Sequence, residues 1–338
     1  MRLGAVNYLC KPIQPDKLLE AIRKEFSRPR HDGTEFYRGE SDKAREMYRR
    51  ISLVAPSDIS VLIRGASGTG KEHIALELHE QSRRRNRPYI TLDCGSLPED
   101  LAASELFGHR KGAFTGAESD KVGLLQEADG GTLFLDEIGN LSYKSQMLLL
   151  RALQEKCYRP VGSTRERGFD IRLIAATNEN LEEAIAGGRF REDLFHRLNE
   201  FTIRVPLLSE CPEDILPLAR FLLGHLMKEH HKRVQGFDRL AEAALRRYPW
   251  PGNIRELRNA LRSALLLTDG DWITATSLNL DLTLKQEEVP SLTEEEKERL
   301  LLLQTLEQTG NNRSKTAKLL NMSRTTLYEK LRKYGIIC

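Results

Sequence analysis

Ser60-Val61-Leu62-Ile63-Arg64, followed by Gly65-Ala66-Ser67-Gly68-Thr69-Gly70-Lys71-Glu72, decides the fold. An apolar run of strand length stops at a glycine-rich turn, and a stretch with helical spacing begins at Lys71. The glycines let successive backbone N–H groups turn toward one point. Lys71 adds a positive charge there, the combination that cradles the β- and γ-phosphates of a nucleotide. Glu72 stands where a Ser or Thr would hold magnesium. A glycine-rich strand-to-helix turn without a ligand is the bland alternative.

Around this stretch, short apolar runs alternate with longer helical ones. Residues 60–64, 89–92, 132–135 and 171–176 read as strands. Parallel strands joined by crossover helices make a three-layer α/β domain, here residues 36–206. The strand pattern fades after that. Residues 213–229 and 238–247 read as helices of a small all-helical subdomain, residues 207–281. Residues 27–35 and 282–292 are polar and proline-bearing, and read as linkers. Residues 293–338 form a further helical unit, opened by a capping box between Thr293 and Glu296, with helices expected over 294–309, 314–320 and 324–334.

Composition excludes several classes. Of 338 residues, 40% are hydrophobic and 30% charged, a balance that rules out wholesale disorder. No apolar run approaches the ~18 residues of a membrane span, and residues 1–26 lack the apolar core of a secretion signal, so no membrane partner is expected. The five cysteines are scattered with no CxxC pair, which suits reduced thiols in a cytoplasm better than a disulfide frame or zinc site. With 52 Lys and Arg against 49 Asp and Glu, the net charge of +3 points to no partner. Any nucleic-acid signal must be local.

Such a signal lies at the C-terminus. From Gly310 onward there are seven basic residues, Arg313, Lys315, Lys318, Arg324, Lys330, Arg332 and Lys333, against one acid, Glu329. The spacing Ala317, Leu319, Leu320, then Asn321-Met322-Ser323, then Leu327 and Leu331, spells helix–turn–helix. Ser323, Arg324, Thr325, Thr326, Tyr328 and Lys330 fall at or near the start of the second helix, where base edges of double-stranded DNA are read. A basic helical hairpin for protein contact is the alternative.

Three further constellations belong to the nucleotide site. Thr132-Leu-Phe-Leu-Asp136-Glu137 is a strand ending in two acids. Asp136 would orient Mg²⁺ and Glu137 would polarise an attacking water, although two solvated acids opening a turn fit the same letters. Thr177-Asn178 ends the next strand and would face the same crevice, unless it is ordinary turn chemistry. Arg191 and Arg197, six residues apart, and Arg255 after Trp250-Pro-Gly-Asn, are cations suited to phosphoryl charge; a solvated basic face is equally consistent with their composition.

In this order, with a helical lid between the arginines and the basic end, these residues resemble an AAA+ ATPase. More narrowly, Gly112-Ala113-Phe114-Thr115-Gly116-Ala117 matches the GAFTGA loop of bacterial enhancer-binding proteins, the NtrC-like activators of sigma-54 RNA polymerase. Ser104-Glu-Leu-Phe-Gly-His109 precedes it as in that family, and Glu72 is then expected in its place. The C-terminal segment resembles the family's Fis-type domain. The resemblance implies ATP and Mg²⁺ as cofactors, with residues 65–72 and Arg255 binding nucleotide. It implies Asp136 as metal residue, Lys71 and Glu137 as catalytic groups, and Thr177 and Asn178 as first sensor. Arg191 and Arg197 would be fingers reaching a neighbouring subunit. The active species would be a ring, usually a hexamer with dimeric DNA-binding domains. Residues 112–117, with Phe114 and Thr115 foremost, would touch the sigma-54 holoenzyme. Two competing functions stay in view, an ATP-binding DNA-binding regulator that does not remodel sigma-54, and a remodeller of a different target such as a clamp loader or protease unfoldase.

Two positions depart from the family. Asp93 stands where an Asn is usual, and its carboxylate should repel Glu137. Leu208-Ser-Glu-Cys211 replaces Leu-Arg-Glu-Arg and reads as lying away from the chemistry. At the N-terminus, Gly4-Ala-Val-Asn-Tyr-Leu-Cys-Lys11-Pro12 resembles the last strand of a response-regulator receiver domain, so residues 1–26 are expected to be a receiver remnant without its phosphoacceptor and without phosphorylation control.

Overall fold

The structure is a computed structural model that describes residues 36–114 and 116–280, together with Arg313, Thr316, Ala317 and residues 322–333. The receiver-like segment, both expected linkers and most of the first two C-terminal helices lie outside the described residues. The chain divides into two units, residues 1–280 and 281–338.

In the first unit, helix α1 (Asp42–Val54) is capped by Ser41 and leads into β1 (Val61–Arg64). The phosphate-loop stretch then opens α2 (Lys71–Glu80). There follow β2 (Tyr89–Asp93), α3 (Glu99–Phe107), β3 (Thr132–Asp136), α4 (Tyr143–Glu155) and a short antiparallel hairpin of β4 (Cys157–Tyr158) and β5 (Arg167–Gly168). β6 (Arg172–Thr177), α5 (Leu181–Ala186), α6 (Glu192–Leu198) and β7 (Phe201–Arg204) complete the core. The main sheet is wholly parallel in the order β2-β3-β6-β1-β7.

Alternation along the strands builds two apolar layers. Val61, Ile63, Ile174, Ala176 and Ile203 face α1 and α2, whereas Leu62, Leu133, Leu135, Leu173 and Ala175 face α3, α4 and α6. Both faces are covered, as an all-parallel sheet requires. The expected four strands are all present. The sheet has a fifth, β7, and the hairpin was also not read from the sequence.

The register decides where chemistry can sit. Arg64 lies beside Thr177, and Asp93 beside Asp136. The carboxyl ends of β1, β6, β3 and β2 therefore form one row along the sheet edge, where ligands of open α/β sheets bind.

The lid is built from α7 (Pro212–Glu229), α8 (Arg239–Arg247) and α9 (Asn253–Leu267) around its own apolar cluster, centred on Leu223, Leu245, Trp250 and Leu261. A two-residue parallel pairing of Gly236–Phe237 with Trp272–Ile273 runs through this otherwise helical region. Asp238 caps α8, accepting from Ala241 N at 2.6 Å.

In the second unit, α10 (Arg324–Lys333) is capped by Ser323, whose Oγ accepts from Thr326 N at 3.0 Å. Ala317, Leu327 and Leu331 are buried, while Ser323, Arg324 and Thr325 are exposed.

Candidate functional site

The phosphate-loop stretch forms a turn that needs its glycines. Gly68 and Gly70 adopt φ of +76° and +90°, and a Cβ on Gly68 would stand 2.4 Å from Gly252 O. Thr69 Oγ1 donates to Ala66 O (2.9 Å), and Lys71 Nζ donates to Gly65 O (3.1 Å) and Ala66 O (3.2 Å). The ammonium therefore folds back across the loop it serves. Burial pushes its pKa below the usual lysine range, with the carboxylates of Asp136 and Glu137 pulling the other way. Glu72 points into solvent in the first turn of α2.

The lid reaches this loop through its own turn. Arg255 donates from Nη1 to Ser67 Oγ (2.7 Å) and from its backbone N to Gly68 O (3.3 Å). Asn253 is buried in the left-handed region (φ +53°). Its Nδ2 donates to Ser67 O (3.1 Å), and its Oδ1 accepts from Leu208 N (3.0 Å). Asn253 is thus a site residue that sequence reasoning passed over. The Pro-Gly-Asn punctuation ahead of α9 was its only local signal.

Between loop and lid lies a cavity of about 150 Å³. Phe36, Tyr37, Met47, Ile74, Leu218 and Ile254 are among the apolar residues of its wall, beside His73, Thr69 and Gly70. Leu208 and Cys211 line it too, so the Leu208–Cys211 departure is not remote from the site. That expectation is corrected, and the reason is the fold. The residues after β7 turn back over the start of α2. Asp214 of α7 is buried in the same wall and accepts from Glu40 N (2.6 Å), Ser41 N (3.1 Å) and Ser41 Oγ (2.6 Å), which anchors residues 36–41 across the cavity.

The acids at the sheet edge are held individually. Asp136 Oδ1 accepts from Glu137 N (2.9 Å). Glu137 has a left-handed backbone (φ +49°), and its Oε2 accepts from Asn140 Nδ2 (3.0 Å). A Cβ on Gly95 would lie 2.3 Å from that Oε2 and 3.3 Å from Asp93 Oδ1. Asp93 Oδ1 is occupied by Gly95 N (2.9 Å). The two carboxylates therefore border one glycine, each with its own donor. Among the described residues no three metal-capable side chains converge. Oxygen donors at a sheet edge beside a phosphate loop still fit magnesium, which keeps waters and takes other ligands from phosphates.

Thr177 is buried, its carbonyl accepts from Gly65 N (3.2 Å) and its hydroxyl from Glu179 N (3.0 Å), while Asn178 beside it is exposed. Arg191 and Arg197 stand at opposite ends of α6. Arg191 pairs with Asp193, and Arg197 pairs with Glu200 at 3.4 Å.

Residues 112–114 and 116–117 are drawn together above a paired stem, Ala117 N donating to Phe114 O at 3.0 Å. Gly112 (φ +79°) and Gly116 (φ +99°) have nothing within 4 Å of a Cβ position, and Gly112 N donates to Ala117 O at 2.9 Å. His109 and Lys121 pair as an antiparallel bridge beneath it, and Val161 of the β4–β5 connection pairs with His109. Phe114 is 38% exposed, its ring edge-on to His109 at 5.0 Å between centroids. Thr115 lies outside the described residues, as do Lys315 and the side chain of Tyr328. Of the remaining residues read as DNA-facing, Arg313 is exposed and Lys330 half-buried.

A wholly parallel sheet with a phosphate-loop turn at its edge and a helical lid clamped onto that turn defines an AAA+ protein. Residues 37–204 match the model of the Sigma-54 interaction domain, residues 209–295 that of an AAA+ ATPase lid domain, and residues 293–334 that of the bacterial regulatory protein, Fis family. The chain belongs to the family of sigma-54-dependent enhancer-binding regulators. The transcriptional regulatory protein ZraR of Klebsiella oxytoca is 44% identical, the match covering 98% of this chain and 78% of that protein. The alginate biosynthesis transcriptional regulatory protein AlgB of Pseudomonas aeruginosa is 38% identical, covering 99% and 78%. Among solved structures, NtrX from Brucella abortus in complex with ADP superposes with a TM-score of 0.69 at 32% identity, covering 98% of this chain and 79% of that one.

Proposed function

We propose that this protein is an ATP-hydrolysing transcriptional activator that assembles into a ring and remodels the closed complex of the sigma-54 polymerase. The observation that carries this reading is the loop of residues 112–117: an aromatic tip on a hydrogen-bonded stem, projecting from the same core that holds the phosphate-loop turn. Exposed aromatics on scaffolded loops are typical partner anchors.

In this reading the backbone N–H groups of residues 68–71 receive the phosphate chain and Lys71 turns from its loop carbonyls onto the β- and γ-phosphates. The apolar cavity lined by Phe36 and Ile254 takes the base, and the NtrX complex with ADP supports nucleotide at such a site. Magnesium, held through Asp136 and water, would neutralise developing phosphate charge. Glu137 takes the proton of the attacking water, aided by Asn178 with Thr177 bracing the strand end. Arg255 reports nucleotide to the lid, and Arg191 and Arg197 reach the neighbouring subunit's phosphates. The C-terminal domain holds the ring on DNA through Arg313, Lys315, Ser323, Arg324, Thr325, Thr326, Tyr328 and Lys330, in a cytoplasmic setting. No helix among the described residues is long and apolar enough to cross a membrane.

The test pairs ATP turnover with open-complex formation on a sigma-54 promoter. Phe114→Ala is expected to keep turnover and lose open complexes. Glu137→Gln is expected to bind ATP and lose turnover by about a hundredfold or more. Open complexes formed equally well by Phe114→Ala would contradict the reading.

A further inference from the structure

Helix α4 starts just beyond the turn that carries Glu137, and it bears Gln146, an amide with no solvent exposure at all. A buried amide is costly unless each of its groups is bonded. Here each is. Nε2 donates to Leu141 O (2.7 Å) and to Arg189 O (3.0 Å), and Oε1 accepts from Arg191 N (2.9 Å). Two carbonyls and one N–H as partners leave only one orientation of the amide. One side chain therefore joins the end of the Glu137 turn to the backbone on both sides of Phe190.

The Arg191 side chain is held with equal care. Its Nε and Nη2 donate to the two oxygens of Asp193 (3.0 and 2.7 Å), and its guanidinium lies 5.3 Å from the centre of the Tyr143 ring. Tyr143 is one turn before Gln146 on α4, and is half exposed at the rim of an open hollow of about 540 Å³ that Arg191 and His196 also line. An isolated surface arginine needs none of this; a guanidinium that must meet a phosphate at a fixed angle does.

We propose that Gln146 is a positioning residue that couples the catalytic turn of one subunit to the arginine it presents to the next, with Asp193 and Tyr143 setting the direction of the guanidinium. The coupling rests on the reading of Arg191 as a group acting in a neighbour's site. When the Glu137 turn shifts, Leu141 moves, and Gln146 carries that movement to the Arg191 backbone.

Gln146→Met keeps the side-chain volume and removes all three bonds. At subunit concentrations where the protein self-associates, kcat is expected to fall about tenfold or more, with KM and the affinity for a fluorescent ATP analogue unchanged. Mixed with Glu137→Gln, whose arginine is intact, it is expected to regain turnover. Arg191→Ala in the same mixture is the reference. Recovery with Arg191→Ala but not with Gln146→Met would overturn the coupling and leave the trans arginine standing. Recovery with neither would remove the trans arginine and the coupling together. Should Gln146→Met fail to fold, the exposed pair Asp193→Asn and Tyr143→Ala carry the same expectation, with Asp193→Glu restoring turnover. Normal kcat in both would overturn the proposal.

Discussion

Gly95 shows how much a single missing side chain can carry. Its Cβ position is taken by the Glu137 carboxylate, and its N–H is the donor that occupies Asp93. Asp93 was expected to repel Glu137, and the geometry shows how the two acids coexist, one held by Gly95 and the other by Asn140. Gly95→Ala would force Glu137 off Asn140 without touching the phosphate loop. We expect turnover to change by about tenfold while ATP affinity stays constant, measured by steady-state kinetics beside equilibrium titration. A variant that loses ATP affinity instead would place Glu137's surroundings in nucleotide binding. Burial sorts the thiols at the same scale. Cys94 and Cys211 are enclosed and their pKa values are pushed up by burial, whereas Cys157 is partly exposed.

At the scale of elements, Arg172 opens β6 and is fully buried. It donates to Ala55 O (2.6 Å), Val54 O (3.2 Å) and Leu78 O (3.3 Å), so one cation serves the C-terminal carbonyls of α1 and faces α2 as well. That end of a helix carries partial negative charge. Arg172→Met takes the guanidinium donors from Ala55 O and Leu78 O, while Val54 O keeps Ser57 N (3.0 Å) and Ser57 Oγ (2.8 Å), and we expect a loss on the order of 3 kcal/mol, read from denaturant unfolding. A loss below about 1 kcal/mol would mean water replaces the guanidinium. Legibility in the sequence follows the same division between local and distant. The strand–loop–helix around Gly65, the Asp136-Glu137 strand end and the helix beginning at residue 238 are written in neighbouring residues, and all were read from them; the caps at Ser41 and Asp238 are as local but were not read. β7 escaped because Thr202 and Arg204 interrupt its apolar residues, and its identity comes from pairing with β1. Asn253 on Ser67, Cys211 in the cavity wall and Gln146 on Arg191 join residues far apart in the chain, and no spacing rule reveals them.

At the scale of the whole molecule, ionisable groups enclosed in the sheet core, such as Cys94, and in the cavity wall between core and lid, such as Tyr48, bear on overall stability. Burial pushes the Cys94 thiol to about 12 and the Tyr48 phenol to about 12, above their ordinary values of 9.0 and 10.0. Both groups are neutral in the fold, and the unfolded chain loses their protons first. Their stabilising share is complete below pH 9 and is lost as pH rises toward 12, so the unfolding midpoint is expected to fall across that window and stay level below it. A midpoint that stayed level up to pH 12 would show these groups ionising inside the fold. In the proposed function, phosphate-loop and finger act from different subunits, and hydrolysis would then be a property of the assembly. The most direct test is ATP turnover per subunit measured across a range of protein concentrations spanning self-association. Turnover that is near zero for the monomer and climbs steeply with assembly is the expected result. A constant turnover per subunit at every concentration, or none at any, would contradict it.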